Sequence, residues 1–274
     1  MNLKFDEIQY HWQHEQMLQV WPVPIFSDNY VWILEREGSN RVAVVDPGDG
    51  EPVIEELSRR DLEIAAVLIT HHHRDHVGGL PELIRRYHPP VYGSATESVV
   101  GVDHPVRGGD QVSLPDLDLE FEIVALPGHT SGHIGYLGAA CAFVGDTLFA
   151  GGCGRVFEGT MEQMHSSLTR LSELAAETMA YCAHEYTLAN LRFASVVEPG
   201  NSALAHRVEA AEVTRAASQP TVPSTIGYEL ETNPFLRGGV ASVHSAAESH
   251  AGHELESPAE VFGVLRSWKD GWSG

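Results

Sequence analysis

The chain has 274 residues, enough for one large domain or two smaller ones, and its 43% hydrophobic and 20% charged composition is that of a globular protein rather than a disordered one. A formal net charge of −21, with Lys4 and Lys269 as the only lysines and no basic run, argues against nucleic acid and anionic membranes as partners. No segment nears the roughly 18 consecutive apolar residues of a membrane helix. The N-terminal MNLKFDEIQYHWQHEQ lacks the apolar centre of a signal peptide, and Cys141, Cys153 and Cys182 are an odd, widely spaced set, so a reducing cytoplasm is expected.

Along the chain, strand-like and helix-like segments alternate. RVAVVD (41–46) reads as a buried strand closed by an Asp-Pro-Gly turn, and EPVIEELSRR (51–60) as a helix with Pro52 near its start. IAAVLIT (64–70) is a second buried strand, LPELIRRY (80–87) a short helix, and FEIVALP (121–127) and CAFVGD (141–146) further strands. Thr160 and Gln163 form a capping box for a helix beginning MEQMHSSL, and AYCAH (180–184) is a last short strand.

After His184 the pattern becomes helical, which sets a boundary near residue 185. YTLANLRFASVVE and SALAHRVEAAEVTRAAS read as helices, 219–240 as a loop rich in Pro, Thr and Gly, and 241–256 as an exposed polar segment of weak periodicity. Ser257, Pro258 and Glu260 mark the start of a final helix.

The stretch VLITHHHRDHVGG (67–79) carries the chemistry. If extended geometry continues past Thr70, His71 and His73 point one way and His72 the other, while Asp75 and His76 follow as the chain turns toward Gly78 and Gly79. Imidazole with carboxylate suits zinc, iron or manganese better than calcium or magnesium. A lone His-x-His is more often a surface loop; His-x-His-x-Asp-His is far more specific. Three other strand ends add ligand-type residues: His129 and His133 in LPGHTSGH, Asp146 in FVGDT, and His184 in YCAHEY. Each alone has a bland explanation as a cap or a satisfied core residue, but jointly they point to a metal site.

With these motifs, the sequence resembles the metallo-β-lactamase superfamily and, within it, the glyoxalase II (hydroxyacylglutathione hydrolase) family. PIFSDNYVWIL, THHHRDHVGG, LPGHTSGH, GDTLFAGGCGRVFEGT, AHEYTLANLRFA, ETNPFLR and RSWKD carry the resemblance, the GGCGRVFEGT and RSWKD segments most narrowly. It implies an α+β fold: a four-layer αββα sandwich over residues 1–185 holding the metals, followed by a helical glutathione-binding domain over 186–274. It implies two divalent metal ions, zinc foremost with iron or manganese as alternatives. His71, His73 and His129 would hold one, Asp75, His76 and His184 the other, and Asp146 would bridge them. His133 would lie outside the ligand set and His72 would be structural. Asp75 and Asp146 would serve catalysis with a hydroxide shared by the metals, and Arg155, Val156, Phe157, His184, Glu185, Tyr186, Arg266 and Lys269 would contact the glutathione part. Some relatives have tyrosine at the position of Phe157, whose ring here lacks the hydroxyl.

The implied reaction is hydrolysis of S-lactoylglutathione and related 2-hydroxyacyl thioesters to glutathione and D-lactate, by a cytoplasmic monomer. Two metals about 3.5–4 Å apart can activate water and bind the substrate oxygen together. A thiolate leaving group of conjugate pKa about 8.5 needs little help from an acid. Arg266 and Lys269, three apart on one helix, would supply positive charge in an acidic protein. Rival readings are a single-iron glutathione persulfide dioxygenase, another thioester hydrolase of the same fold, a β-lactamase, which would normally be exported, a nuclease, which would want a basic channel, and a scaffold that kept the fold without activity.

Overall fold

A computed structural model describes residues 18–273; the N-terminal stretch read above for the lack of a signal lies outside them. One six-stranded sheet contains β1 (Leu18–Ile25), β2 (Asn29–Arg36), β3 (Arg41–Val45), β4 (Glu63–Leu68), β5 (Val91–Ser94) and β6 (His104–Val106), in that spatial order. The second runs β14-β13-β10-β9-β8-β7, built from β7 (Gln111–Leu114), β8 (Leu119–Ala125), β9 (Ile134–Gly138), β10 (Cys141–Gly145), β13 (Met179–Cys182) and β14 (Ser224–Thr225). A small hairpin, β11 (Leu148–Phe149) and β12 (Gly152–Cys153), stands apart from both.

The near-continuous apolar runs of the first sheet follow from burial on both faces. Along β2 and β3, Val31, Ile33, Val42 and Val44 enter one core, where they meet Val53 and Leu57 of α1 (Gly50–Arg60). The same core takes Leu80 and Leu83 of α3 (Leu80–Tyr87), which follows the single turn α2 (Arg74–Val77). The alternate residues Trp32, Leu34, Ala43 and Val45 enter the other core, facing Phe121, Ile123 and Phe143 of the second sheet. This strict period of two is what a pleated strand requires. The second core also includes Met164, Leu168 and Leu171 of α4 (Met161–Ser172) and Val261, Phe262 and Leu265 near the C-terminus. Helix, sheet, sheet and helix stack as the expected αββα arrangement.

The local signals hold where they were strongest. Thr160 and Gln163 make both bonds of the capping box, and Ser257 accepts from the Glu260 N–H at the start of α9 (Pro258–Gly271). Two expectations need correction. Residues 219–240 are not one open loop: they contain β14, α7 (Ile226–Thr232) and a 3-10 turn at Pro234–Leu236. Residues 241–256 include a helix, α8 (Ala241–Ala251), whose Val243 and Ala247 are fully buried. A two-residue apolar contact is too sparse to stand out as helical periodicity, and a strand of two residues is defined by its partner, here β13. α5 (Thr187–Val197) and α6 (Ser202–Ala216) lie close to their expected bounds.

The two sheets meet at one end through backbone bonds. Ile134 N–H donates to Thr70 O at 3.0 Å, Tyr30 N–H donates to Ala183 O at 2.7 Å, and Asn29 makes an isolated bridge with His184. The loops that leave β3, β4, β8, β10 and β13 converge at this junction.

Candidate metal centre

The loop after β4 opens with Ile69, Thr70 and His71, all buried, and the α2 turn then brings Asp75 and His76 back toward the sheet junction. His71 Nε2 lies 3.1 Å from His73 Nδ1, and His129 Nε2 lies 2.9 Å from the same atom. These three residues offer ligand atoms all within 4.8 Å of one another; so do Asp75, His76 and His184, and so do His71, His76 and Asp146. Asp146 is central: its carboxylate is 3.4 Å from the Nε2 atoms of His76, His129 and His184. The structure therefore gathers all seven residues named from the sequence as ligands.

Four of the imidazoles are anchored from outside. His76 Nδ1 faces Asp46 Oδ2 at 3.0 Å, and His184 Nδ1 faces Asp28 Oδ1 at 3.0 Å. His129 Nδ1 is 2.8 Å from the Arg155 carbonyl, which can only accept. Thr70 donates its hydroxyl to Asp46 at 2.7 Å, so its oxygen accepts from His71 Nδ1 at 3.1 Å. The pattern assigns the proton to Nδ1 in all four rings and turns each Nε2 inward; His73 alone presents Nδ1. An outward N–H bond that fixes tautomer and ring angle is the usual support of a metal-binding histidine.

The interior lacks the partners these atoms need. His76 Nε2 and Asp146 Oδ1 are buried without a hydrogen-bond partner, a costly state that a cation between them removes. The donor set of five imidazoles and two carboxylates fits divalent zinc, iron or manganese.

Charge in the cluster follows the same logic. Burial and the neighbouring rings hold His71 well below the usual histidine range, and burial also lowers His73 and His129. Burial opposes charge on His76 and His184 as well, yet the carboxylates overcome it. Asp146 and Asp46 hold His76 well above its ordinary value, and Asp146 with Asp75 raises His184 to about 10. Burial pushes Asp146 up, but His76 and His184 keep it well below the carboxylate range; a bond from His184 likewise lowers Asp75. The carboxylates thus favour positive charge at His76 and His184, while burial disfavours it at His71, His73 and His129.

Several contributors were not singled out in the sequence. Asp46 appeared only as part of a turn signal, and Asp28 and Asn29 only inside a quoted motif. Asn29 Nδ2 donates to Asp75 Oδ2 at 3.0 Å. His133, expected outside the ligand set, stacks on His71 with ring centroids 4.7 Å apart, and its Nε2 accepts from the Asp146 N–H at 3.2 Å. His72 points away from the cluster, between Glu97 (3.0 Å) and Glu158 (3.2 Å). Partly exposed ion pairs contribute little. His72→Ala is therefore expected to lower turnover by less than about fivefold, whereas His73→Ala should remove nearly all of it; steady-state kinetics of the two variants side by side checks this.

The expected substrate contacts divide. Tyr186 stacks on His184 at 4.6 Å, and the exposed Phe157 ring sits 5.3 Å from His129 and 5.9 Å from His73. Val156 is half-buried against the core. Arg155 is exposed beside Asp270, and Lys269 donates to Asn190 Oδ1. Two members are otherwise engaged. Glu185 accepts from Tyr30 and from the backbone and hydroxyl of Thr221, so its carboxylate is turned from the cluster. Arg266 is 2% exposed and donates to the Cys153 carbonyl at 2.8 Å and to Asp270 at 3.0 Å, so it is not a free cation. Both were read from a motif, which carries residue type but not side-chain direction.

Comparison with known proteins agrees with the geometry. A profile described as "Metallo-beta-lactamase superfamily" matches residues 25–187, and one described as "Hydroxyacylglutathione hydrolase C-terminus" matches 185–272. The hydroxyacylglutathione hydrolase of Alkalilimnicola ehrlichii is 50% identical over 93% of this chain and 99% of its own length, and that of Halorhodospira halophila 50% identical over 91% and 97%. The chain belongs to the hydroxyacylglutathione hydrolase family. Among solved structures, ETHE1 from Myxococcus xanthus is similar in fold at 24% identity and a TM-score of 0.61, over 92% of this chain and 98% of that one. The B3 metallo-beta-lactamase BLEG-1, at 21% identity and a TM-score of 0.60 over 80% and 99%, shares the same fold. Membership in this family implies divalent metals in the cluster. No helix among the described residues is long and apolar enough to cross a membrane.

Proposed function

We propose that the chain hydrolyses S-lactoylglutathione and related S-(2-hydroxyacyl)glutathiones to glutathione and the free D-hydroxy acid, the second step of methylglyoxal detoxification. The observation that carries the metal-dependent reading is the inward-facing set of imidazole nitrogens, four of them anchored from behind, with His76 Nε2 and Asp146 Oδ1 buried and unpartnered among them. His71, His73 and His129 would hold one metal, Asp75, His76 and His184 the other, with Asp146 between them; zinc is the foremost candidate, iron and manganese the alternatives. The chemistry supplied by divalent metals in such a site is Lewis acidity, which activates water and polarises a thioester carbonyl.

The protein's own groups do the rest. Asp146 and Asp75 stay ionised and keep negative charge beside the reacting atoms. Phe157, edge-on to His129, and Tyr186, stacked on His184, flank the cluster as exposed aromatic surface against which a substrate can pack. Arg155 and Lys269 offer cations for the glutathione carboxylates, with Arg266 acting through Cys153 and Asp270 rather than by direct contact. In this reading residues 1–185 build the metal centre and 186–274 hold the glutathione arm. The reading places the chain as a monomer in the cytoplasm, whose reducing conditions accord with three free, buried cysteines.

Lys269 gives this reading a pH signature. Burial, with the Arg266 charge beside it, lowers its pKa to about 7. Its cationic form exists below that value and is lost above it, so carboxylate binding should weaken as pH rises through 7. We expect KM for S-lactoylglutathione to climb across this range. Lys269→Met should raise KM roughly tenfold or more at pH 6, the worth of a hydrogen bond to a charged group, and flatten the dependence. A KM profile unchanged by the substitution would remove Lys269 from the site.

The decisive experiment follows thioester absorbance and free thiol with metal-loaded protein and S-lactoylglutathione, alongside metal analysis. Turnover with two metals per chain is the expected result. One iron per chain with oxygen consumption on glutathione persulfide would replace the hydrolase with a dioxygenase. The second ligand group, Asp75, His76 and His184, favours the hydrolase.

A further inference from the structure

The hairpin β11–β12 pairs only Leu148 with Cys153 and Phe149 with Gly152. A ladder this short cannot hold itself. Side chains from the C-terminal half hold it instead, through five backbone groups. Asn233 Nδ2 donates to the carbonyls of Phe149 (3.3 Å) and Gly152 (2.9 Å), and Asn190 Nδ2 donates to Ala150 O at 3.0 Å. Glu229 Oε2 accepts from the Gly151 N–H at 2.8 Å, and Arg266 donates to Cys153 O at 2.8 Å. Glu229 and Asn233 are completely buried. Glu229 is itself held by Arg207, Ser224 and Asn233.

Both ends of this hairpin enter the metal cluster. Asp146 lies two residues before Leu148. After Cys153, the backbone of Gly154 passes so close to the Asp146 carbonyl that a Cβ there would sit 1.9 Å from it, and the Arg155 carbonyl takes the His129 Nδ1 proton. Gly151, at φ +69°, makes the turn between the two arms in a conformation that other residues avoid. A shift of the hairpin would move Asp146 and the anchor of His129 together.

We infer that Asn233 and Glu229, with Asn190 and Arg266, are positioning residues of the metal centre: the helical C-terminal region sets the geometry of Asp146 and His129 through the backbone of residues 149–153. This rests on the proposed ligand roles of Asp146 and His129 and assigns the C-terminal region a task beyond holding substrate. Outer supports of a metal site typically change affinity 10–100-fold when removed.

The test is metal affinity, read by competition between protein and a chromophoric chelator for Zn²⁺, which needs no turnover. Asn233→Ala is compared with wild type and with Leu57→Ala, a core deletion under α1 that is remote from the hairpin. The expected result is a loss of fivefold or more in Zn²⁺ affinity for Asn233→Ala alone, because Asn233 holds the hairpin backbone that carries Asp146 and the anchor of His129. A loss below fivefold, or an equal loss in Leu57→Ala, overturns the inference. If Asn233→Ala does not fold, Asn190→Ala is held to the same affinity criterion. Wild-type protein that binds two metals but leaves S-lactoylglutathione intact would overturn the proposed reaction and leave this measurement standing.

Discussion

Asp146→Ala is expected to abolish thioester hydrolysis, lowering kcat by on the order of 10³ or more. Its carboxylate lies 3.4 Å from three imidazole nitrogens, those of His76, His129 and His184, which belong to both proposed ligand groups. Removing it leaves His76 and His184 without the buried charge that raises their pKa values, and takes from both proposed metal positions the group they share. Asp146→Asn separates charge from shape. It keeps the side-chain volume and the backbone N–H bond to His133, so the loop after β10 should stay in place while activity falls nearly as far. Thioester absorbance, metal content and circular dichroism on the two variants provide the check. An alanine variant retaining a tenth of wild-type turnover would mean that Asp146 does not link the centre.

The second large effect concerns stability. Arg207 and Glu229 form an ion pair whose side chains are 4% and 0% exposed. The guanidinium also donates to Thr232 and Ser224, and it lies 4.5 Å from the Tyr228 ring centroid. Arg207→Ala would leave the Glu229 carboxylate buried without its counter-charge. Breaking one side of such a pair costs about 3–5 kcal/mol, which for a chain of this size lowers the melting temperature by on the order of 10 °C. The double change Arg207→Met with Glu229→Met should cost less than the sum of the single changes, since no charge is then stranded. Thermal unfolding of wild type, Arg207→Ala, Arg207→Met, Glu229→Met and the double Met variant decides this. A fall of only a degree or two for Arg207→Ala would show that solvent reaches the pair.

The site was partly legible because metal chemistry selects residue types and strand ends fix their spacing. A shared direction for His71 and His73 was expected if extended backbone continued past Thr70, although β4 ends at Leu68, and His72 was set aside because the family resemblance left it out of the ligand set. The Ser257-Pro258-Glu260 start of α9 was readable because capping is local. The supports were not readable. Asp46 is 24 residues from Thr70 and 30 from His76, and Asp28 is 156 residues from His184. A buried carboxylate whose partner is that distant leaves no local pattern. The same holds for Glu229 and Asn233, which sit 78 and 81 or more residues from the backbone groups they hold. α8 was missed because two buried residues make too thin an apolar stripe to detect.

By itself, then, the sequence determined the elements whose causes are short-range: alternating strands, capped helices, and a set of imidazoles and carboxylates of the type that binds divalent metals. Only the tertiary structure decided which nitrogen of each ring faces inward, that Glu185 and Arg266 are spent on the protein's own framework, and that the C-terminal half grips the hairpin carrying the site. The physical reason is the same in each case. Hydrogen-bond direction and burial depend on what folds against a residue, and a side chain of fixed chemistry can face substrate or scaffold with no change in its local sequence.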